Sequence, residues 1–200
     1  MSGRSAAFLD RDGVINLDHG YVHRWEDFQF VPGAVEALRR LQAAGHALVI
    51  VTNQSGVARG LYAESDVRAL GERLREHLHG EGIQLDAIEY CPHLPGAAVP
   101  AYAVHCDCRK PEPGMILRAA HRLGIDLARS VMVGDKASDM EAAQRAGVGR
   151  AFLVATDGVG EPDDLLCPMA RTPRCHTSPC RSLQDAVDHW LAEAGSSHHP

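Results

Sequence analysis

Three stretches of the chain combine residue types and spacings that can do chemistry. The first is Asp10-Arg11-Asp12-Gly13, which follows the apolar run Ala6 to Leu9 directly. A run of that length reads as a short buried strand, and the glycine lets the backbone turn where the strand ends. Two carboxylates at such a point are costly unless a metal ion or a cationic side chain lies against them. Catalysis and cation binding are open to the pair, and a solvated turn is the plain alternative. The second stretch is Thr52-Asn53-Gln54-Ser55-Gly56, after the apolar run Ala47 to Val51. Hydroxyl, amide and backbone N–H groups at a strand's carboxyl end suit an anionic ligand, although a polar turn would look the same. The third is Gly134-Asp135-Lys136, with Asp139 three residues on, where a further apolar strand ends at an aspartate.

A fourth constellation reads as a metal site of another kind. Cys91-Pro92-His93 is followed after twelve residues by Cys106-Asp107-Cys108-Arg109-Lys110-Pro111. Three thiolates and one imidazole are the ligand set of a closed structural Zn2+ site, and a disulfide is the main alternative. The short Cys-x-Cys spacing is poor for ring closure, and a cytoplasmic chain does not keep stable disulfides. With Cys91, His93, Cys106 and Cys108 all spent on Zn2+, this metal would order a loop over about 91–108 and fix where Arg109 and Lys110 point. Cys167, Cys175 and Cys180 sit in a tail over about 158–200, with His176 beside them. Ordinary free thiols and a second zinc site are the two readings there.

Composition narrows the partners. A net charge of −6 and a pI near 6.0 exclude the basic stripe expected of a nucleic-acid or membrane-surface protein. No run approaches the ~18 apolar residues of a membrane span, and the N-terminus lacks signal-peptide organisation. These features predict a soluble cytoplasmic protein whose partner is a small molecule. Only Lys110 and Lys136 among the 20 basic residues are lysines. In a chain that otherwise chooses arginine, two lysines inside the motifs suggest sites for a compact point charge, such as a phosphoryl oxygen or a carboxylate.

The elements that must position these residues alternate. Apolar runs at 6–9, 47–51, 131–134 and 151–154 predict strands, and Ala87-Ile88-Glu89-Tyr90 reads as a further one. Helical spacing predicts helices opening at Pro32, Glu64, Pro113 and about Ser138, with a short terminal helix carrying Leu183, Val187, Trp190 and Leu191. The polar stretch Leu17 to Val31 reads as a loop. The pattern predicts an α/β fold: a Rossmann-like parallel sheet with helices on both faces, in one domain over 1–200 with a small zinc-bound loop insertion and no large cap domain. Ligands bind at the carboxyl ends of the strands in such sheets. Asp10, Asp12, Thr52 and Asp135 would therefore meet although they are far apart in sequence.

With these motifs in hand, the chain resembles the haloacid dehalogenase superfamily of phosphatases. Asp10-Arg11-Asp12-Gly13, Thr52-Asn53, Lys110, and Gly134-Asp135-Lys136 with Asp139 match its four motifs in order. The resemblance implies that Asp10 attacks phosphorus to form an aspartyl-phosphate and that Asp12 acts in turn as acid and base. It implies Mg2+ held by Asp10, Asp135 and the Asp12 carbonyl, and phosphoryl oxygens held by Thr52 and Lys110, with Asp139 positioning Lys110 or the metal's waters. Within the superfamily, the run Asn53 to Gly60 and the cysteine element are similar to a subgroup acting on sugar bisphosphates. Asn53, Ser55, Arg109 and Lys136 are then the candidates for the second phosphate or the sugar hydroxyls, in a chain expected to be a monomer. Histidinol-phosphate phosphatases share the zinc loop with a shorter segment between the cysteine pairs. A sugar phosphomutase would need a larger cap, and a zinc-stabilised binding module would leave the converging motifs unexplained.

Overall fold

The Ala6–Leu9 run forms strand β1, buried along its whole length at the centre of a parallel sheet. A computed structural model describes residues 3–155 and 175–196 of the chain. Strands β2 (Ala47–Asn53) and β4 (Val131–Gly134) flank β1, with Phe8 level with Val49 on one side and Met132 on the other. β3 (Ala87–Cys91) pairs outside β2, and β5 (Arg150–Val154) outside β4. The first helix, α1 (Ala34–Ala43), joins β1 to β2, and α2 (Glu64–Gly80) joins β2 to β3. α3 (Gly114–Leu123) precedes β4, and α4 (Ala137–Ala146) joins β4 to β5.

Alternation along each strand divides the core between the two faces of the sheet. Leu9, Leu48, Ile50, Val133 and Phe152 point to the side covered by α1, α2 and the terminal helix α5 (Leu183–Ser196). Phe8, Val49, Val51, Met132 and Leu153 point to the side covered by α3 and α4. Burying each such side chain contributes about 1.5–3 kcal/mol, and because both faces are covered the strands read as unbroken apolar runs.

The sheet has one strand more than the sequence suggests. β6 (His176–Cys180) adds parallel to β5, with Ala151 beside Thr177 and Val154 beside Cys180. Its residues, His-Thr-Ser-Pro-Cys, lack an apolar run, and Pro179 is tolerated because an edge strand keeps one side of its backbone unpaired. Cys175 and Cys180 are free and buried, and no metal cluster among the described residues includes them. Cys167, the start of the tail near Gly158, and His198 and His199 lie outside the described residues.

Helix α5 is fastened to the sheet through a buried histidine. Trp190 Nε1 donates to His46 Nε2 (3.1 Å), and His46 Nδ1 meets Ser5 Oγ (2.8 Å). Burial, then the charges of Arg4 and Arg129, lower the His46 pKa. A histidine depressed on folding contributes stability that is fully present above its unfolded value near 6.5. That contribution is lost as pH falls through the folded value. Melting scans between pH 7.5 and pH 5 should show a steeper fall for the native chain than for His46→Gln, and equal slopes would remove His46 from the account.

Candidate active site

The carboxyl ends of β1, β2 and β4 bring together groups from four parts of the chain. Lys110 is only 4% exposed, yet its ammonium lies inside the site. Nζ is 2.9 Å from Asp10 Oδ1 and 2.6 Å from Asp139 Oδ1, and it donates to the Val51 carbonyl at 2.7 Å. All three of its N–H bonds are thereby used. Burial alone would lower the Lys110 pKa, but the two carboxylates outweigh it and hold the pKa raised. Asp139 reaches this position because residue 134 is glycine: a Cβ there would stand 2.3 Å from the Asp139 Cβ. The other Asp139 oxygen, Oδ2, accepts the backbone N–H of Lys136 and closes the first turn of α4.

Asp10, Asp135 and Asp139 each offer an oxygen, and these atoms lie within 4.8 Å of one another. Burial first, then the charge of Asp10, push Asp135 up to about 7, against the opposing pull of Lys136. Asp135 Oδ1 is buried and accepts no hydrogen bond, whereas Asp139 Oδ1 is answered by Lys110. An unanswered carboxylate oxygen beside a second carboxylate is a donor set that fits a hard divalent cation. Lys136 Nζ lies 3.3 Å from Asp135 Oδ2 and 3.8 Å from Asp18 Oδ2 at the outer side of this group.

Asp12 is held by a separate network. The Arg11 guanidinium is bidentate to it, with Nη2 at 2.9 Å from both oxygens, and Asn16 Nδ2 donates to Oδ1 at 3.0 Å. Gln54 Nε2 donates to Asp12 Oδ2 (2.9 Å) and to Thr52 Oγ1 (2.8 Å). Gln54 Oε1 accepts from the Tyr62 hydroxyl at 2.9 Å.

The cysteine element closes on itself as its spacing suggests. The three Sγ atoms of Cys91, Cys106 and Cys108 are 3.1, 3.2 and 3.6 Å apart, and His93 Nδ1 is 3.4 Å from Cys108 and 3.6 Å from Cys91. These separations are far too long for a disulfide and close to the edges of a tetrahedron about zinc, roughly 3.8 Å for sulfur pairs and 3.6 Å for sulfur to nitrogen. Burial raises the pKa of Cys91 and of Cys108, and a bound cation would reverse that trend. The loop rests on Val57, Tyr62 and Val67, and Tyr102 and Tyr90 both donate to the Glu64 carboxylate at 2.9 and 2.7 Å.

A cleft of about 330 Å3 opens over these groups and is lined by Asp10, Asp12, Thr52, Asn53, Ser55, Lys110 and Lys136 among others. Arg109 is not among its lining residues; its Nη1 donates to the His93 carbonyl at 3.0 Å within the cysteine loop. Asn53 spends both ends of its amide on the Lys110 backbone, donating to O and accepting from N at 3.1 Å each. Asp18, Tyr21, Tyr62 and Ser138 also line the cleft without having been singled out from the sequence. They come from loops and a helix start that carry no spacing signal. The side chain of Gln54 stood inside a marked stretch, but its bridging of Asp12 and Thr52 has no sequence signature.

A parallel α/β sheet with paired aspartates, a buried lysine and a cation-competent carboxylate group at its carboxyl edge defines a hydrolase of the phosphoryl-transfer type. Family models agree: a haloacid dehalogenase-like hydrolase model matches residues 7–79, and a HAD-hydrolase-like model matches residues 107–183. A D-glycero-beta-D-manno-heptose-1,7-bisphosphate 7-phosphatase of Photorhabdus laumondii is 52% identical over 154 residues, covering 77% of this chain and 82% of the relative. The protein of the same name from Escherichia coli K12 is 52% identical over 151 residues, covering 76% and 79%. Among solved structures, a D,D-heptose 1,7-bisphosphate phosphatase from B. bronchiseptica, complexed with magnesium and phosphate, superposes with a TM-score of 0.77. It is 34% identical, over 94% of this chain and 99% of that one. The chain belongs to the haloacid dehalogenase-like hydrolases.

Removing the buried ammonium should expose how much the site depends on it. Lys110→Met leaves Asp10 and Asp139 without their counter-ion, and breaking a buried pair typically costs about 3–5 kcal/mol. Urea denaturation in EDTA should show a loss of that order, and a loss below ~1 kcal/mol would mean that the carboxylates are neutralised by other means.

Proposed function

We propose that the chain is a Mg2+-dependent phosphatase that removes the C7 phosphate of D-glycero-D-manno-heptose 1,7-bisphosphate, in the synthesis of nucleotide-activated heptose for the lipopolysaccharide core. The observation that carries this reading is the Asp10–Lys110–Asp139 ion-pair chain beside the open Asp135 oxygen, in a protein 52% identical to phosphatases of that name.

Asp10 Oδ1 takes both the Arg11 N–H (2.8 Å) and the Lys110 ammonium, which leaves Oδ2 as the attacking oxygen. As Oδ2 bonds to phosphorus, the bond from phosphorus to the sugar oxygen breaks, and Asp12 delivers a proton to the departing oxygen. Asp12 then takes a proton from a water, whose oxygen attacks phosphorus and releases inorganic phosphate and free Asp10. Thr52 donates to one phosphoryl oxygen, and Lys110 supplies positive charge beside the others. Asp10, Asp135 and the Asp12 carbonyl would hold Mg2+, which supplies charge neutralisation at the phosphoryl group. Cys91, His93, Cys106 and Cys108 hold a structural Zn2+ that keeps Arg109 and Lys110 in place. Ser55 and Lys136, which line the cleft, recognise the sugar and the unreacting phosphate. Arg109 would have to leave the His93 carbonyl to join them, and Asn53 contributes by clamping the Lys110 backbone.

Histidinol phosphate is the less favoured substrate, because the relatives above carry the heptose name. Phosphate release from the two esters, measured side by side with Mg2+ and with Asp10→Asn as the blank, should favour the bisphosphate by about 10² in kcat/KM, or ~2.7 kcal/mol. Preference for histidinol phosphate would overturn the assignment while keeping the chemistry. Metal analysis of the purified chain should find about one zinc per molecule. Cys106→Ser should lower both the zinc content and the melting temperature, and a zinc-free protein with an unchanged melting temperature would remove the metal from the fold.

A further inference from the structure

We propose that Gln54 is the positioning residue that aims Thr52 and Asp12 together at the phosphoryl group, with Tyr62 fixing the direction of its amide. The inference rests on the phosphatase reading above. Gln54 is 2% exposed, and its amide sits between four other side chains. Arg11 only donates, so Oε1 must face its Nη2, at 3.3 Å, and Nε2 is thereby turned to Asp12 Oδ2, at 2.9 Å. The rest of the network then has one solution. Thr52 Oγ1 receives a proton from Nε2, so its own hydrogen is not spent on Gln54. Thr52 lines the cleft, and that hydrogen is the donor a phosphoryl oxygen needs. With the amide reversed, Oε1 would capture the Thr52 hydrogen and would also face the Asp12 carboxylate, oxygen against oxygen.

Tyr62 makes the reversed state costly. Its hydroxyl donates to Oε1, and its ring occupies space that only a glycine at 56 leaves open, since a Cβ there would stand 2.2 Å from a ring carbon. The ring packs with Val57 and Val67 and stacks on His23 at 4.7 Å between centroids. Burial raises the Tyr62 pKa to about 12, although Arg11 opposes it, so the phenol remains a donor across the working range. The backbone of Gln54 is anchored as well, its N–H donating to the Cys91 carbonyl at 2.8 Å.

The test separates positioning from mere support by varying the leaving group. A sugar alkoxide needs the proton that Asp12 delivers, whereas p-nitrophenolate departs without it. Gln54→Glu should turn the amide donor into an acceptor that captures the Thr52 hydrogen and repels Asp12. Its kcat/KM, which reports the steps up to the aspartyl-phosphate and not the later water attack that Asp12 also serves, should fall about 10²-fold or more on heptose 1,7-bisphosphate and only about 10-fold on p-nitrophenyl phosphate, the part owed to Thr52. Tyr62→Phe should show the same ordering at about 3- to 10-fold on the sugar ester, and Gln54→Asn should not rescue, being one methylene too short to bridge. Equal fold-losses in kcat/KM on both esters, or a lowered melting temperature with unchanged kcat/KM, would overturn the inference. Should the native chain ignore the heptose ester but cleave other alkyl phosphates, the substrate reading fails alone. The same comparison then runs with β-glycerophosphate against p-nitrophenyl phosphate.

Discussion

A buried ammonium ion is the constraint on which the rest of the site depends. Lys110 sits at the edge of an apolar sheet, where an unpaired charge would cost many kcal/mol, and it is tolerated because every N–H has an acceptor. Those acceptors are spread across the fold: Asp10 ends β1, Val51 belongs to β2, and Asp139 opens α4. Satisfying one side chain therefore sets the distance between three elements. The charge balance it leaves is also chemically useful. Asp10, Asp135 and Asp139, with Asp18 at the outer side, stand against Lys110 and Lys136, so the group is short of positive charge. A divalent cation would offset that deficit and so favour an incoming phosphate dianion.

The cysteine loop serves the same residue from the other side. Lys110 lies two positions after Cys108, and Asn53 grips its backbone at both N–H and carbonyl. The loop has little apolar material of its own and rests on the small cluster of Val57, Tyr62 and Val67. Four ligand atoms drawn together, and two tyrosines on one Glu64 carboxylate, substitute for a core that so short an insertion cannot build. In that arrangement the loop acts as a rigid arm that holds Lys110 at the cleft.

Gln54 and Tyr62 show a second level of organisation. The residues proposed to react are few and charged, but their directions are set by neutral groups whose donors and acceptors admit one pattern. Arg11 belongs to this layer. It lies between the two reactive aspartates, yet its guanidinium is spent on Asp12, on Gln54 and on the Val22 carbonyl at 2.6 Å. A 4% exposed arginine in that position holds the loop after β1 against the sheet rather than reaching for substrate.

Much of this was legible in the chain alone, for a physical reason. Strands covered on both faces must be continuous apolar runs, so β1, β2, β4 and β5 declare themselves, and the motifs at Asp10, Thr52 and Asp135 follow three of those runs directly. Thiols and an imidazole that can close on one metal ion stand at loop-closing spacing, so the four-residue cluster was readable too. Three things were not. β6 is held by backbone pairing at an edge, which asks little of its side chains, so His-Thr-Ser-Pro-Cys gave no signal. The commitment of Asn53 to the Lys110 backbone depends on two segments 57 residues apart meeting at 3.1 Å. The direction of the Gln54 amide is decided by which partners surround it, and those come from Asp12, Thr52 and Tyr62 together. Residue type and local spacing determine which chemistry is available, because they fix charge, donors and period. Only the tertiary structure decides which donor faces which acceptor, because that depends on groups the sequence keeps apart.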